Sequence, residues 1–393
     1  MPTSFKIPRA QFMTDSNAPS TRASPARKPE RGGSRALTIR DLRVRAVKVP
    51  MREPHKTASG TIVESPLVLT DVVTEEGVVG HSYVFAYTAL ALKPIALLIK
   101  NLEPLIAGHP VAPFDIERML STRFRLLGPQ GLTGIAMAAV DMALWDALAR
   151  ASGLSLARLL GGAPKPVPAY GAVGFDGVSD SARVAAAWAE RGLRGVKAKI
   201  GYADVREDVE VIRAMRREIG DRVAVMVDYN QSLLPSEAIE RGRYLDDEQL
   251  GWIEEPTRAD DYEGHAHIAR ALRTPIQCGE NWWGPHDLAK AVHAEASDYV
   301  MPDVMKIGGV TGWMRAAALA DTHGIRMSNH LFVEISAQLL AVTPTAHWLE
   351  YCDWFSPIIE NPLRIDDGNA IIDERPGSGI EWNEDAVLRY LVE

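Results

Sequence analysis

The chain has too little cysteine for a disulfide framework: only Cys278 and Cys352 occur among 393 residues. Two thiols in a chain of this length read as reduced side chains of a cytoplasmic protein. No uninterrupted apolar run approaches the ~20 residues needed to cross a bilayer. Charge of one sign is also missing. The formal net charge is -8, with acidic and basic residues mixed along the chain. That balance argues against nucleic acid and against a membrane surface as partners. There is no His-Glu-x-x-His zinc helix and no phosphate-cradling Walker loop. What is present is a globular composition, 46% hydrophobic and 24% charged. The length suffices for a barrel of ~250 residues and a second domain.

Composition divides the chain. Residues 1–36 are rich in Pro, Ser, Ala and Arg, without sustained periodicity and without the apolar core of a secretory signal. Prolines would break the amphipathic helix of a transit peptide, so the expectation is a disordered tail. Residues 37–160 then read as an α+β capping domain. Leu42–Val49 alternates like a half-buried strand. Pro66–Val73 and Gly77–Val84 follow with Glu-Gly turn chemistry between them, which predicts an antiparallel meander. Helical stretches are expected over about 90–107, 113–126 and 131–151, the last apolar on most faces and therefore buried.

Over 161–355 the pattern becomes an alternation of strands and helices. Eight strands are predicted: Val167–Val173, Gly195–Ile200, Val223–Asp228, Gly251–Glu255, Pro275–Gly279, Tyr299–Pro302, Arg326–His330 and Trp348–Tyr351. Amphipathic helices such as Val205–Ile219 and Val310–His323 lie between them. Eight such units close a (β/α)8 TIM barrel, so the fold class is α/β. The segment 356–393 has no barrel unit left to fill and is expected to return to the cap.

The chemistry-bearing residues stand at strand ends. Asp228, Glu254 and Glu280 are each 26 residues apart, close to the ~30 of one barrel unit. Strand ends converge on one rim, and three hard oxygen ligands with room for water and substrate suit Mg2+. Lys197 and Lys199, two apart in one strand, would both face the barrel interior. A lysine beside Mg2+ and a second cation would have its pKa pushed down toward that of a usable base. Asp303 and His330 end strands six and seven, where a carboxylate can hold a histidine tautomer. Glu350 ends strand eight; if apolar surroundings and nearby anions keep it protonated it can donate a hydrogen bond, and a plain salt bridge is the alternative.

Lys-x-Lys, then Asp, Glu, Glu, then Asp and His, then Glu, in that order, resembles the enolase superfamily, mandelate racemase subgroup. Val227-Asp-Tyr-Asn-Gln-Ser-Leu233, Trp252-Ile-Glu-Glu-Pro-Thr257, Asp261-Tyr-Glu-Gly-His265, Lys306-Ile-Gly-Gly-Val-Thr-Gly-Trp313 and Thr343–Glu350 carry the resemblance, with Val78-Val-Gly-His-Ser-Tyr83 in the cap. It covers residue 40 to the end. It implies a modified TIM barrel whose N-terminal cap is completed by the C-terminal segment. It also implies Mg2+ on Asp228, Glu254 and Glu280, and two bases, Lys199 and the Asp303–His330 pair, on opposite faces of the substrate. By the same resemblance Lys197 and Glu350 meet the substrate carboxylate, and Asn230 meets its α-hydroxyl. A homo-oligomer, an octamer, is implied too.

The implied chemistry is abstraction of the proton α to a carboxylate, giving an enediolate. Bases on both faces make it racemisation of a 2-hydroxy acid. The alternative on the same site is dehydration of an acid sugar; a binding protein without catalysis would be expected to lack one base. Phe85, Tyr87, Ile62 and Leu331 keep the apolar character of the subgroup's substrate pocket. His55 and Ser59 stand in the cap loop where the pattern has valines, Cys352 replaces a leucine, and Ala172 replaces a serine that contacts the carboxylate. Losing one hydrogen bond to a charged group costs roughly 1.5–3 kcal/mol. The substrate is therefore expected to be more polar than mandelate, or differently shaped.

Overall fold

The computed structural model describes residues 37–57 and 60–392. The expected tail, 1–36, lies outside the described residues. The cap opens with a meander of β1 (Ile39–Thr57), β2 (Gly60–Thr74) and β3 (Val79–Phe85), paired antiparallel in that order. Helices α1 (Ala89–Lys100), α2 (Glu103–Ile106), α3 (Pro113–Arg123), α4 (Leu132–Ala151) and α5 (Leu156–Leu159) follow. Gly80 in β3 is required by close approach, because a Cβ there would come within 2.1 Å of the Ala143 carbonyl oxygen on α4.

Helix α4 corrects one expectation. At 20 residues with a mean hydropathy of 1.4, it is long and apolar enough to cross a bilayer. Its most apolar window is 83% buried within the protein, so its hydrophobic faces are already covered. Asp141 and Asp146 interrupt it, which is why the run looked short in sequence.

The first strand is longer than the alternation of Leu42–Val49 suggested. Pairing with β2 shifts register between Pro50 and His55, then resumes with His55 opposite Ile62 and Lys56 opposite Thr61. The ends of β1 and β2 thus form a ribbon rather than a cap loop. The Phe175 N–H from the barrel donates to the Lys56 carbonyl at 2.8 Å and ties the ribbon down. Burial beyond Pro50 no longer alternates, so the sequence carried no period-2 signal there.

The barrel follows as β4 (Val167–Val173), α6 (Gly177–Glu190), β5 (Gly195–Lys199), α7 (Val205–Ile219), β6 (Ala224–Asp228), α8 (Pro235–Leu245), β7 (Ile253–Glu254), α9 (Tyr262–Ala271), β8 (Ile276–Cys278), α10 (Gly284–Ala294), β9 (Tyr299–Val300), α11 (Gly309–Thr322), β10 (Arg326–Met327), α12 (Val333–Val342) and β11 (Leu349–Tyr351). Neighbours from β4 to β10 pair in parallel, and β11 returns to β4. The ring closes between β10 and β11 through a single parallel bridge, Met327 with Ala346. The expected strands are all present, but those around Glu254, Tyr299 and Arg326 are shorter. Their carboxyl ends leave the ladder to present side chains, as at Glu255, whose φ is 35°.

Helix α7 shows why the local sequence suffices. The Asp204 side chain accepts from the Arg206 N–H, Gly220 stops the helix at φ 71°, and Val211, Ile212 and Met215 are buried. Inside the barrel, Tyr170, Met226 and Trp252 form a cluster of their own. A hairpin of β12 (Arg364–Asp366) and β13 (Asn369–Ile371) adds antiparallel to the start of β4. The last helix, α13 (Glu384–Arg389), leads back to the cap, where the Lys48 N–H donates to the Tyr390 carbonyl at 3.0 Å and the Val392 N–H to Ala46 at 2.9 Å.

Candidate active site

Barrel strands end on one rim, and this places the acidic trio. Asp228 ends β6, Glu254 ends β7, and Glu280 lies two residues beyond β8. All three are buried, with one carboxylate oxygen from each within 4.8 Å of the others. Three buried hard anions this close repel unless cations intervene, and the donor set fits Mg2+. Burial raises Glu254 to about 8 against the pull of Lys197. Glu280 is held down near about 2, because His330 and Lys197 outweigh its burial.

The two lysines of β5 both point inward, as their spacing implied. Lys197 is 4% exposed. Its Nζ binds Glu254, lies 2.8 Å from Glu350 Oε1, and is 5.7 Å from the centre of the Tyr170 ring below it. Lys199 Nζ donates to Asp228 Oδ2 at 3.0 Å and to Asn230 Oδ1 at 2.5 Å. The expected depression of a lysine pKa is conditional on Mg2+; among the protein's own groups burial favours neutral amines, but Glu254 and Glu350 raise Lys197 well above its usual value, and Asp228 raises Lys199 despite Lys197 beside it.

Across the trio, His330 Nδ1 lies 2.7 Å from Asp303 Oδ2 and its Nε2 lies 3.4 Å from Glu280 Oε2. Burial would lower the His330 pKa, but Glu280 and the Asp303 hydrogen bond raise it. Asp303 is fixed by the N–H groups of Met305 and Lys306 at 2.7 and 3.1 Å. Lys199 thus stands on the Asp228 flank of the trio and His330 on the Glu280 flank.

Glu350 takes the salt-bridge alternative, 2.8 Å from Lys197 Nζ: burial would raise its pKa, but Lys197 and His330 hold it down to about 2. Its Oε2 accepts the Leu331 N–H at 3.0 Å. That N–H is aimed by strained backbone, with Leu331 and Phe332 at φ 50° and 51°. Non-glycine residues held there cost of order 1–3 kcal/mol each. Asn329 spans the strain, its Nδ2 donating to the Leu331 carbonyl at 2.7 Å and its Oδ1 accepting the Glu350 N–H at 2.8 Å.

A cavity of about 840 Å³ opens above these groups. Lys197, Lys199, Asn230, Glu280, His330 and Glu350 line its floor, with Ala172, Leu331 and Cys352 beside them. Phe85, Tyr87, Ile62 and His55 come from the cap and roof it. The structure therefore brings every expected site residue into one place except Ser59, which lies outside the described residues. His55 is buried; burial and then Lys199 push its pKa down to about 3, so its ring is neutral, and it lies 4.9 Å from the ring of Trp354. Sequence reasoning missed Trp354, Trp283, Asn281 and Lys306, which also line the cavity. Asn281 adjoins Glu280 and Lys306 lies three residues from Asp303, so proximity to motif residues was the available signal.

Residues 39–161 match the family model described as mandelate racemase / muconate lactonizing enzyme, N-terminal domain, and residues 180–386 match that of the enolase C-terminal domain-like family. A crystal structure of an enolase from Bradyrhizobium, complexed with magnesium and mandelic acid, is 45% identical with a TM-score of 0.88. The match covers 91% of this chain and 99% of that one. L-talarate/galactarate dehydratase of Salmonella typhimurium is 31% identical over 83% of this chain and 82% of its own length. An L-talarate dehydratase from Polaromonas, complexed with Mg and L-glucarate, is 29% identical with a TM-score of 0.84, covering 91% of this chain and 98% of that one.

Proposed function

This chain belongs to the enolase superfamily, in its mandelate racemase subgroup, and from that premise we propose that it racemises a 2-hydroxy carboxylate. The coarser chemistry is Mg2+-dependent abstraction of a proton α to a carboxylate. The observation that carries the finer reading is the placement of Lys199 and His330. They share one cavity, Lys199 against Asp228 and His330 against Glu280, which supports reading them as bases on opposite faces of a substrate. A substrate α-carbon between them can lose its proton to one and regain it from the other, which inverts its configuration.

Asp228, Glu254 and Glu280 would hold Mg2+, which when bound offsets the trio's negative charge and stabilises negative charge on the substrate carboxylate. The other roles belong to the chain itself. Lys199 and His330 exchange protons at the α-carbon, each from its own face. Asp303 positions His330 by holding Nδ1, which leaves Nε2 facing the cavity. Lys197 meets the substrate carboxylate as charge grows on it. Glu350 is paired with Lys197 before substrate arrives. A bound carboxylate shares Lys197 and adds a second anion, and both changes favour the protonated acid that can donate a hydrogen bond. Donors aimed at developing charge are worth ~2.7–4 kcal/mol each in comparable sites. Asn230, already held between Lys199 and Asp228, is placed to meet the α-hydroxyl.

The experiment is incubation of 2-hydroxy acids with enzyme and Mg2+ in D2O. Deuterium at the α-carbon together with loss of optical rotation is the expected result. Formation of a 2-keto acid without racemisation would replace this reading with dehydration of an acid sugar.

A further inference from the structure

Most of the cap side chains over the cavity are already committed. Phe85 and Ile62 are hydrocarbon, and Tyr87 gives its hydroxyl to Asp303 Oδ2 at 3.4 Å. His55 is the exception. It is 8% exposed and lines the cavity, and among the described residues neither of its ring nitrogens has a hydrogen-bond partner. Its ring packs against Trp354, with ring centres 4.9 Å apart. A neutral imidazole carries one N–H donor and one acceptor nitrogen. Burying both unpaired is costly, and a ligand that pairs them relieves the cost.

His55 also borders a second space of about 410 Å³, lined by Arg52, Arg183 and Arg191 among others. The charges acting on the ring set it on the catalytic side. After burial, which lowers its pKa most, Lys199, Glu350, Lys197 and Asp228 act on it more strongly than those arginines do. The result, a pKa pushed down to about 3, keeps the ring neutral. A neutral ring offers a carboxylate no counter-charge and suits a hydroxyl, which both donates and accepts. A 2-hydroxy acid with its carboxylate at Lys197 and its α-carbon between Lys199 and His330 sends its remaining substituent toward this roof. Chemistry then restricts where the hydroxyl can stand. On the carbon next to the α-carbon it would leave from the enediolate, which is dehydration. On an aromatic ring it is not expelled, and Phe85, Ile62 and Trp354 offer the ring apolar and aromatic neighbours.

We propose that His55 is a specificity-determining residue that hydrogen-bonds a phenolic hydroxyl on the distal ring of the substrate, making hydroxyaryl 2-hydroxy acids the preferred acids. This deepens the racemase reading and rests on the substrate orientation given there. His55 stands where the subgroup's pattern has a valine, so the preference belongs to this chain.

Unreactive probes test it on the full-length, Mg2+-loaded protein. 2-Hydroxy-2-phenylpropanoate has no α-proton, and its 3-hydroxyphenyl and 4-hydroxyphenyl counterparts add only the phenol. Calorimetry gives Kd for all three with wild type, His55→Phe and His55→Gln. Wild type should prefer one hydroxyphenyl isomer over the phenyl probe by about fivefold, the worth of one neutral hydrogen bond. That preference should vanish in His55→Phe, which keeps a ring against Trp354 but no nitrogen, while the phenyl probe still binds within about threefold. His55→Gln, which keeps a donor and an acceptor, should retain more of the preference than His55→Phe. If His55→Phe binds neither probe, His55→Val is read in its place by the same criterion. No preference for either isomer in wild type, an unchanged preference in His55→Phe, or equal loss in His55→Phe and His55→Gln overturns the proposal. A preference that depends on His55, without α-proton exchange on any reactive 2-hydroxy acid in D2O, would leave this assignment standing and remove the racemase reading.

Discussion

Replacing His330 with Asn separates the two proposed bases. Asn keeps an amide that can donate to Asp303 Oδ2, now bonded to His330 Nδ1 at 2.7 Å, but offers no nitrogen that accepts a proton. On the opposite flank Lys199 keeps its contacts with Asp228 and Asn230 at 3.0 and 2.5 Å, neither of which involves His330. General bases contribute about 10²–10⁴-fold, which at 1.36 kcal/mol per tenfold is ~2.7–5.4 kcal/mol of barrel-site catalysis. Racemisation needs both bases, so it should fall by that factor in both directions. Exchange of the α-proton needs only one, so the enantiomer facing Lys199 should still incorporate deuterium. Lys199→Ala should reverse the pattern. Polarimetry follows inversion and proton NMR in D2O follows exchange for each pure enantiomer. Exchange lost equally from both enantiomers in both variants would refute the opposed-base arrangement.

Other consequences can be measured directly. Chelation with EDTA should stop exchange, and adding Mg2+ should raise Tm by relieving repulsion in the trio, worth about 2.7 kcal/mol at a hundred times Kd; Glu280→Gln should shrink that rise. Asp141, buried on α4 and hydrogen-bonded to Thr311, is raised by burial from 3.8 to about 7. The folded state then binds more protons than the unfolded one between those values, so this group's contribution to stability falls as pH rises from about 4 to 7. Across that window Asp141→Asn should gain on wild type by up to ~4 kcal/mol in denaturant titrations; a gap independent of pH would contradict the burial argument. Asp146 accepts the His81 N–H at 2.8 Å, the Ser378 N–H at 2.6 Å and Arg150 Nε at 2.5 Å, joining the meander, α4 and the C-terminal segment. Asp146→Ala should cost ~3 kcal/mol, read as a lower urea midpoint, because it strands buried donors.

What could be read from the sequence was local in origin. Each barrel strand is a short apolar run closed by Gly, Pro or a charged residue, and pleating alone turns Lys197 and Lys199 to one side. The 26-residue spacing of Asp228, Glu254 and Glu280 follows from the length of a strand, a helix and two loops. The order of the chemical groups along the chain was enough to indicate the family resemblance.

Other features depend on residues far apart in the chain, and those only folding decides. The ribbon that carries His55 over the cavity is made by pairing with β2 and by the tie from Phe175 to Lys56. The ion-pair partners of Lys199 and Glu350 could not be read from the sequence, because electrostatic energy depends on distance and those partners come from neighbouring strands. Lys306 read only as part of a motif until the fold set it against Tyr87, 219 positions earlier in the chain. Sequence determined which chemical groups this protein carries and the rim on which they stand. The tertiary structure decided which groups meet, because a burial penalty or an ion pair exists only once separate strands bring the charges together.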